Sequence, residues 1–215
     1  AVIDSLKGHN TELWFLATEP LLYPHLLWAI AYAASCGIDS QLTTNGYLLP
    51  DYVSALVSSG LKRICISIDA STSELHDFIR DSPGAFNRAV EGLEQIIKVK
   101  KDLRLETPKI FINTAISQWN YNVLDKIVEK FIPYDIEGLT FSHLQYLTEE
   151  LAAEHSSHHP EFSVTGRNVA CNDRAEIIPD SLFDVLTNIK RKYSKFRINI
   201  TPALNSREEM RNYYS

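Results

Sequence analysis

Apolar and polar positions along this chain fall into two repeating kinds of segment. Short apolar or alternating runs at residues 13–17, 40–44, 63–68, 110–116 and 139–142 read as strands, and a last one follows at 196–201. Stripes with helical spacing come between them. Leu26, Leu27, Ile30 and Ala33 follow Pro24 as first helical residue and close at Gly37. Val53, Leu56 and Val57 follow Pro50 and close at Gly60. A capping box, Ser71-x-x-Glu74, opens a short helix carrying Arg80, and Ser82-Pro83 caps a longer one with Phe86, Val90, Leu93 and Ile97. Leu124, Ile127, Val128 and Phe131 mark a helix that Pro133 ends. A helix at 181–193 is read as capped by Asp180, and Ser206-x-x-Glu209 caps the last. Residues 147–180 have no clean period and read as a long insertion that sits over a site or carries short helices.

The order is β-α five times, then the insertion, a helix and a final strand. That predicts one α/β domain over residues 1–215 with a parallel sheet and right-handed crossovers. The run Leu13-Trp-Phe-Leu suits a strand buried on both faces, and Pro20 closes it. Glu19 is thereby held at the carboxyl end of a strand, the edge where such sheets place ligands. As first strand of the sheet, however, 13–17 is an exposed apolar edge, which proteins normally avoid. Residues 1–7 read as the tail of a helix already under way, so the expectation is a longer protein whose preceding strand covers that edge. A second copy of the chain is the other way to cover it, giving a dimer.

Composition narrows the function classes. The 215 residues are 45% hydrophobic with net charge −6 and no basic block, so no nucleic-acid surface is indicated. No apolar run has the length of a membrane span and no signal peptide opens the chain, so a soluble cytoplasmic protein is expected. Cys36, Cys65 and Cys171 are isolated, form no metal or redox motif, and the first two read as buried thiols. His155-x-x-His158-His159 reads as a solvated loop rather than a metal site. Trp119, Tyr213 and Tyr214 read as packing aromatics.

Several strands end in polar residues in one sense: Thr18-Glu19, Thr44-Asn45, Ser67 with Asp69, Asn113-Thr114 and Ser142-His143. In a parallel sheet those ends share an edge and converge on one cavity.

Glu19-Pro20-Leu21-Leu22 after the first strand, Leu42-Thr-Thr-Asn-Gly46, and Ile66-Ser-Ile-Asp69 followed by His76-Asp77-x-x-Arg80 and Gly84-x-Phe86 together resemble the radical SAM superfamily in order and spacing. Thr201-Pro202 and Met210-Arg-Asn-Tyr-Tyr214 resemble the end of the core in members that continue into a SPASM domain. The resemblance implies a partial (β/α)6, TIM-like barrel with its first βα unit incomplete. It also implies S-adenosylmethionine as cofactor and hydrogen abstraction from a peptide or small-molecule substrate. Glu19 and the carbonyls of Ala17 and Thr18 would then meet the methionyl ammonium, Ser67 and Asp69 the ribose, and Arg80 the methionyl carboxylate. Asn113 joins this cofactor set as a polar group on the same side. Two features depart from the family pattern. Ala17-Thr18 replaces two glycines, and no C-x-x-x-C-x-x-C loop for a [4Fe–4S] cluster is present, so the cluster is expected in a full-length protein only and this chain alone should be inert. Two other classes fit the residues: a degenerate nucleoside- or partner-binding barrel, and an unrelated barrel hydrolase using Glu19 and Asp69 as acid and base.

Overall fold

The protein, a computed structural model, is described here over residues 2–144, 149–162 and 177–214. Its strands are β1 (Glu12–Phe15), β2 (Asp39–Thr44), β3 (Arg63–Ser67), β4 (Lys109–Ile116), β5 (Gly138–His143) and β6 (Ile198–Thr201). They form one sheet in the order β1-β2-β3-β4-β5-β6, every neighbouring pair parallel. The helices are α1 (Val2–Ser5), α2 (Leu26–Ser35), α3 (Leu49–Ser58), α4 (Ser73–Arg80), α5 (Ala85–Leu103), α6 (Leu124–Phe131), α7 (Glu149–His158), α8 (Pro179–Lys192) and α9 (Arg207–Tyr214). The expected parallel α/β sheet, consistent with a partial TIM-like barrel, is what the chain forms.

Strands added in one direction through right-handed crossovers place all their helices on the same face. The burial pattern follows from that. Leu42, Ile64, Ile66, Ile110, Ile112, Leu139 and Phe141 point into the helix layer and are fully buried, and they pack with Ile30, Leu56, Leu93 and Phe131 into the core. The alternate positions, Gln41, Thr43, Cys65, Ser67, Phe111, Asn113, Thr140 and Ser142, are half-buried on the other face. Register aligns Thr43 with Cys65 and Phe111, and Ser67 with Asn113, Thr140 and Asn199.

Some local expectations change. Strand β1 is the exposed sheet edge expected of the first strand, so its run is not buried on both faces, and Trp14 and Leu16 are 58% and 59% exposed. Helix α2 starts at Leu26 rather than Pro24, because Pro20–Leu22 first forms a 3-10 turn. Thr72, not Ser71, caps α4, its hydroxyl accepting the Leu75 N–H. The N-cap of α5 is Gly84, and its first N–H groups are satisfied from outside the helix: Gly84 N–H and Phe86 N–H donate to the Asp77 carboxylate at 2.6 and 2.8 Å. Asp180 lies inside the first turn of α8 and instead takes a bidentate contact from Arg211. Ser206 does cap α9, accepting from Glu209 N–H at 3.1 Å. Cys36 and Cys65 are free and half-buried rather than buried, and Cys171 lies outside the described residues. His155 and His158 sit in the last turn of α7, not a loop.

Candidate functional site

The helix-free face of the sheet lines a cleft of about 620 Å³, within the usual range for a small-molecule pocket. Thr43, Asn113 and Ser142 give it polar lining, Trp14 and Phe111 aromatic surface, and Glu12, Arg63 and Arg197 charge at the amino edge. Trp14 donates its indole N–H to Thr43 Oγ1 at 2.9 Å, and Ser142 donates to Asn113 Oδ1 at 2.7 Å. Burial pushes the Cys65 thiol up to about 11, so it is an inert protonated lining group at neutral pH. A second cleft, of about 710 Å³, lies between the end of α5 and Pro133–Asp135 at the opposite, amino edge, away from the polar strand ends.

At the carboxyl edge of β1 and β2, Glu19 is 8% exposed and already engaged. Leu21 N–H and the Thr44 hydroxyl donate to Oε1 at 3.0 and 2.8 Å, and Asn45 N–H donates to Oε2 at 2.8 Å. Oε2 therefore keeps acceptor capacity that Oε1 has spent. Ala17 and Thr18, between β1 and Glu19, are exposed. The Thr44-Asn45-Gly46 turn is closed by its own side chains: Gly46 N–H donates to Thr44 Oγ1 at 3.0 Å and Tyr47 N–H to Asn45 Oδ1 at 2.9 Å. Glycine is required at 46, where φ is +83° and a Cβ would fall 2.7 Å from Ala89 Cβ on α5.

At the ends of β3 and β4, Asp69 is 2% exposed, with each of its polar groups occupied. Its N–H donates to His76 Nδ1 at 3.0 Å, and its carbonyl accepts from Asn120 Nδ2 at 2.9 Å. Oδ1 accepts from Ala115 N–H at 2.9 Å, and Oδ2 lies 2.5 Å from Arg80 Nε. Asn120 also donates to the Ala115 carbonyl and accepts from Ser117 N–H, sewing the two strand ends together. Arg80 is ion-paired with Asp69, not with Asp77 or Asp81; its buried Nε meets that carboxylate without hydrogen-bond geometry, and among the described residues its Nη atoms have no partner. Ser67, on the cleft side of β3, is half-buried in the register row of Asn113.

The structure thus brings Ser67, Asp69, Arg80 and Asn113 to the β3–β4 end and holds Glu19 at the β1–β2 end. Sequence reasoning did not single out Asn120, which follows the fourth strand in a segment without period; only a side-chain amide just past a strand end marks it. His76 appeared only as part of a motif, and its contact with Asp69 depends on tertiary packing. Further along the same edge, His143 Nδ1 lies 2.7 Å from the Tyr214 hydroxyl and 5.5 Å, ring to ring, from Tyr213. Burial holds its pKa down at about 4. Gln145 and Tyr146 lie outside the described residues.

A family model described as the radical SAM superfamily matches residues 2–114. The AdoMet-dependent heme synthase of Methanosarcina barkeri (strain Fusaro / DSM 804) is 35% identical over 129 residues, covering 59% of this chain and 35% of that protein. The GTP 3',8-cyclase of Petrotoga mobilis (strain DSM 10674 / SJ95) is 29% identical over 153 residues, covering 71% of this chain and 42% of that protein. The chain spans only about a third of the length of the heme synthases it matches, 35%, 28% and 31%. Among solved structures, anSMEcpe with bound AdoMet and Cp18Cys peptide aligns with TM-score 0.62 at 16% identity, over 92% of this chain and 53% of that one. SuiB of Streptococcus suis bound to precursor peptide SuiA aligns with TM-score 0.59 at 16% identity, over 88% and 37%. At such identities the likeness speaks for the fold. The family match over more than half of the residues, on a sheet of this topology, makes the chain a member of the radical SAM superfamily.

Proposed function

We propose that this chain is the cofactor-binding core of a radical S-adenosylmethionine enzyme. The complete protein would cleave S-adenosylmethionine reductively and abstract hydrogen from a peptide or small-molecule substrate. The observation that carries the reading is Arg80: a buried carboxylate holds its Nε, while both Nη atoms stay available for a second, bidentate carboxylate partner. A methionyl carboxylate is such a partner. Glu19 Oε2, with acceptor capacity to spare, suits the neighbouring ammonium, and the polar cleft lining at Asn113, with Ser67 beside it in register, suits a ribose. The finer assignment to the SPASM-type members rests on Thr201-Pro202 and Met210–Tyr214 alone.

The described residues do not fit the iron–sulfur cluster of this family. Holding one takes three thiolates; Cys36 caps α2 and Cys65 is in mid-β3, and among the described residues no three metal-ligating side chains are grouped.

The test is titration calorimetry with S-adenosylmethionine. Each charge-assisted contact is worth roughly 1.5–3 kcal/mol, so Arg80→Ala should weaken binding about ten- to hundredfold. An Arg80→Ala protein that binds as the unaltered chain does would overturn this assignment.

A further inference from the structure

The pair His76 and Asp69 shows how Arg80 comes to be presented at all. His76 and Arg80 stand one turn apart on α4, so both side chains leave the same face of that helix. Both reach Asp69, His76 taking its main-chain N–H and Arg80 its carboxylate. The other two polar groups of Asp69 are tied to Ala115 and Asn120 on the β4 side. A residue anchored at all four polar points is a fixed post. Its carboxylate oxygens keep lone pairs to spare, but at 2% exposure Asp69 offers almost no surface to a ribose.

His76 itself is fully buried, its ring 5.7 Å from that of Phe86. Because Nδ1 accepts from Asp69 N–H, a neutral ring carries its proton on Nε2, and that atom is buried with no partner among the described residues. An apolar ring would fill this space without stranding a donor. The one thing His76 supplies that an apolar ring does not is the acceptor for Asp69. Burial, the largest influence, favours the neutral ring; Arg80 acts in the same sense, and Asp69 and Asp77 oppose it.

We propose that His76 and Asp69 are positioning residues that dock α4 onto the end of β3, so that Arg80 is aimed with both Nη atoms toward an incoming carboxylate; neither residue touches the ligand. This rests on the reading of Arg80 above, but its geometry can be tested without ligand. In the unaltered chain, nitrogen NMR of the His76 ring should show Nδ1 unprotonated and hydrogen-bonded to the Asp69 amide, with the proton on Nε2. The Arg80 Nε–H, buried against the Asp69 carboxylate, should exchange slowly with solvent. His76→Asn keeps an acceptor near the Nδ1 position; His76→Leu fills the site and removes it. The slow Arg80 Nε–H should survive in the first and be lost in the second. S-adenosylmethionine affinity should fall about tenfold in His76→Leu and recover to within about threefold in His76→Asn, as expected for one hydrogen bond's worth of positioning. A folded His76→Leu protein that retains both the slow Arg80 signal and full affinity overturns the proposal. Should that variant fail to fold, a proton on Nδ1 in the unaltered chain overturns it equally. If Arg80→Ala binds normally, the ligand assignment falls, while the NMR arm still decides whether His76 and Asp69 hold Arg80.

Discussion

At the scale of single residues, the carboxyl edge combines short-range turns with polar groups tied to other elements. Glu19 is tied to Thr44 and Asn45, Asp69 to His76, Arg80, Ala115 and Asn120, and His143 to Tyr214. His143 gives a pH prediction. Its folded pKa of about 4 lies below the 6.5 of an unperturbed histidine, so it stays neutral when folded and takes up a proton on unfolding. Its contribution is therefore fully present above pH 6.5 and is lost as pH falls from there toward 4. His76, also lowered by burial, acts in the same sense. Urea unfolding midpoints should drop across that interval, and His143→Gln, with no proton to gain, should show a shallower drop. An equal slope in both proteins would refute the assignment. The residue types at this edge were legible because polar side chains stood at strand ends, a one-dimensional signal. Their partners were not: Asn120 and Asp69, or His143 and Tyr214, meet only after strands and helices have packed.

At the scale of elements, strands and helix stripes were legible from periodicity because burial on one face imposes it. Helix starts were read less well. Ser82-Pro83 has the local chemistry of a cap, yet α5 is capped by Asp77 from the preceding helix. This happens because α4 and α5 are joined by a tight turn, with Asp81 and Gly84 both in the left-handed region, which folds Asp77 back over the α5 N-terminus. The Thr72 and Asp180 cases are shifts of one or two residues, set by where the incoming chain leaves the extended region. Asp77→Ala strands two N–H groups at once and should cost about 1–3 kcal/mol in denaturant unfolding, whereas Ser82→Ala should cost almost nothing. Comparable losses for the two would restore the local cap.

At the scale of the whole molecule, one rule of handedness explains why the helices share a face and why the opposite face is an open, polar cleft. That much was accessible from the alternation of strands and helices. The exposure of β1 was accessible too, while the depth and lining of the cleft were not, since they depend on strand stagger. The sheet order has a consequence for synthesis. Spatial order equals chain order, so each strand needs only the one made just before it, and no pairing waits for a distant segment. Such a sheet can be built by a ribosome one βα unit at a time, N-terminal units first, the longest closure being the last, from His143 to Ile198. Nascent chains stalled at successive lengths should gain protease resistance in steps, one as each new strand clears the exit tunnel. Protection arriving all at once, on release of the finished chain, would show that the last strand is needed to organise the first.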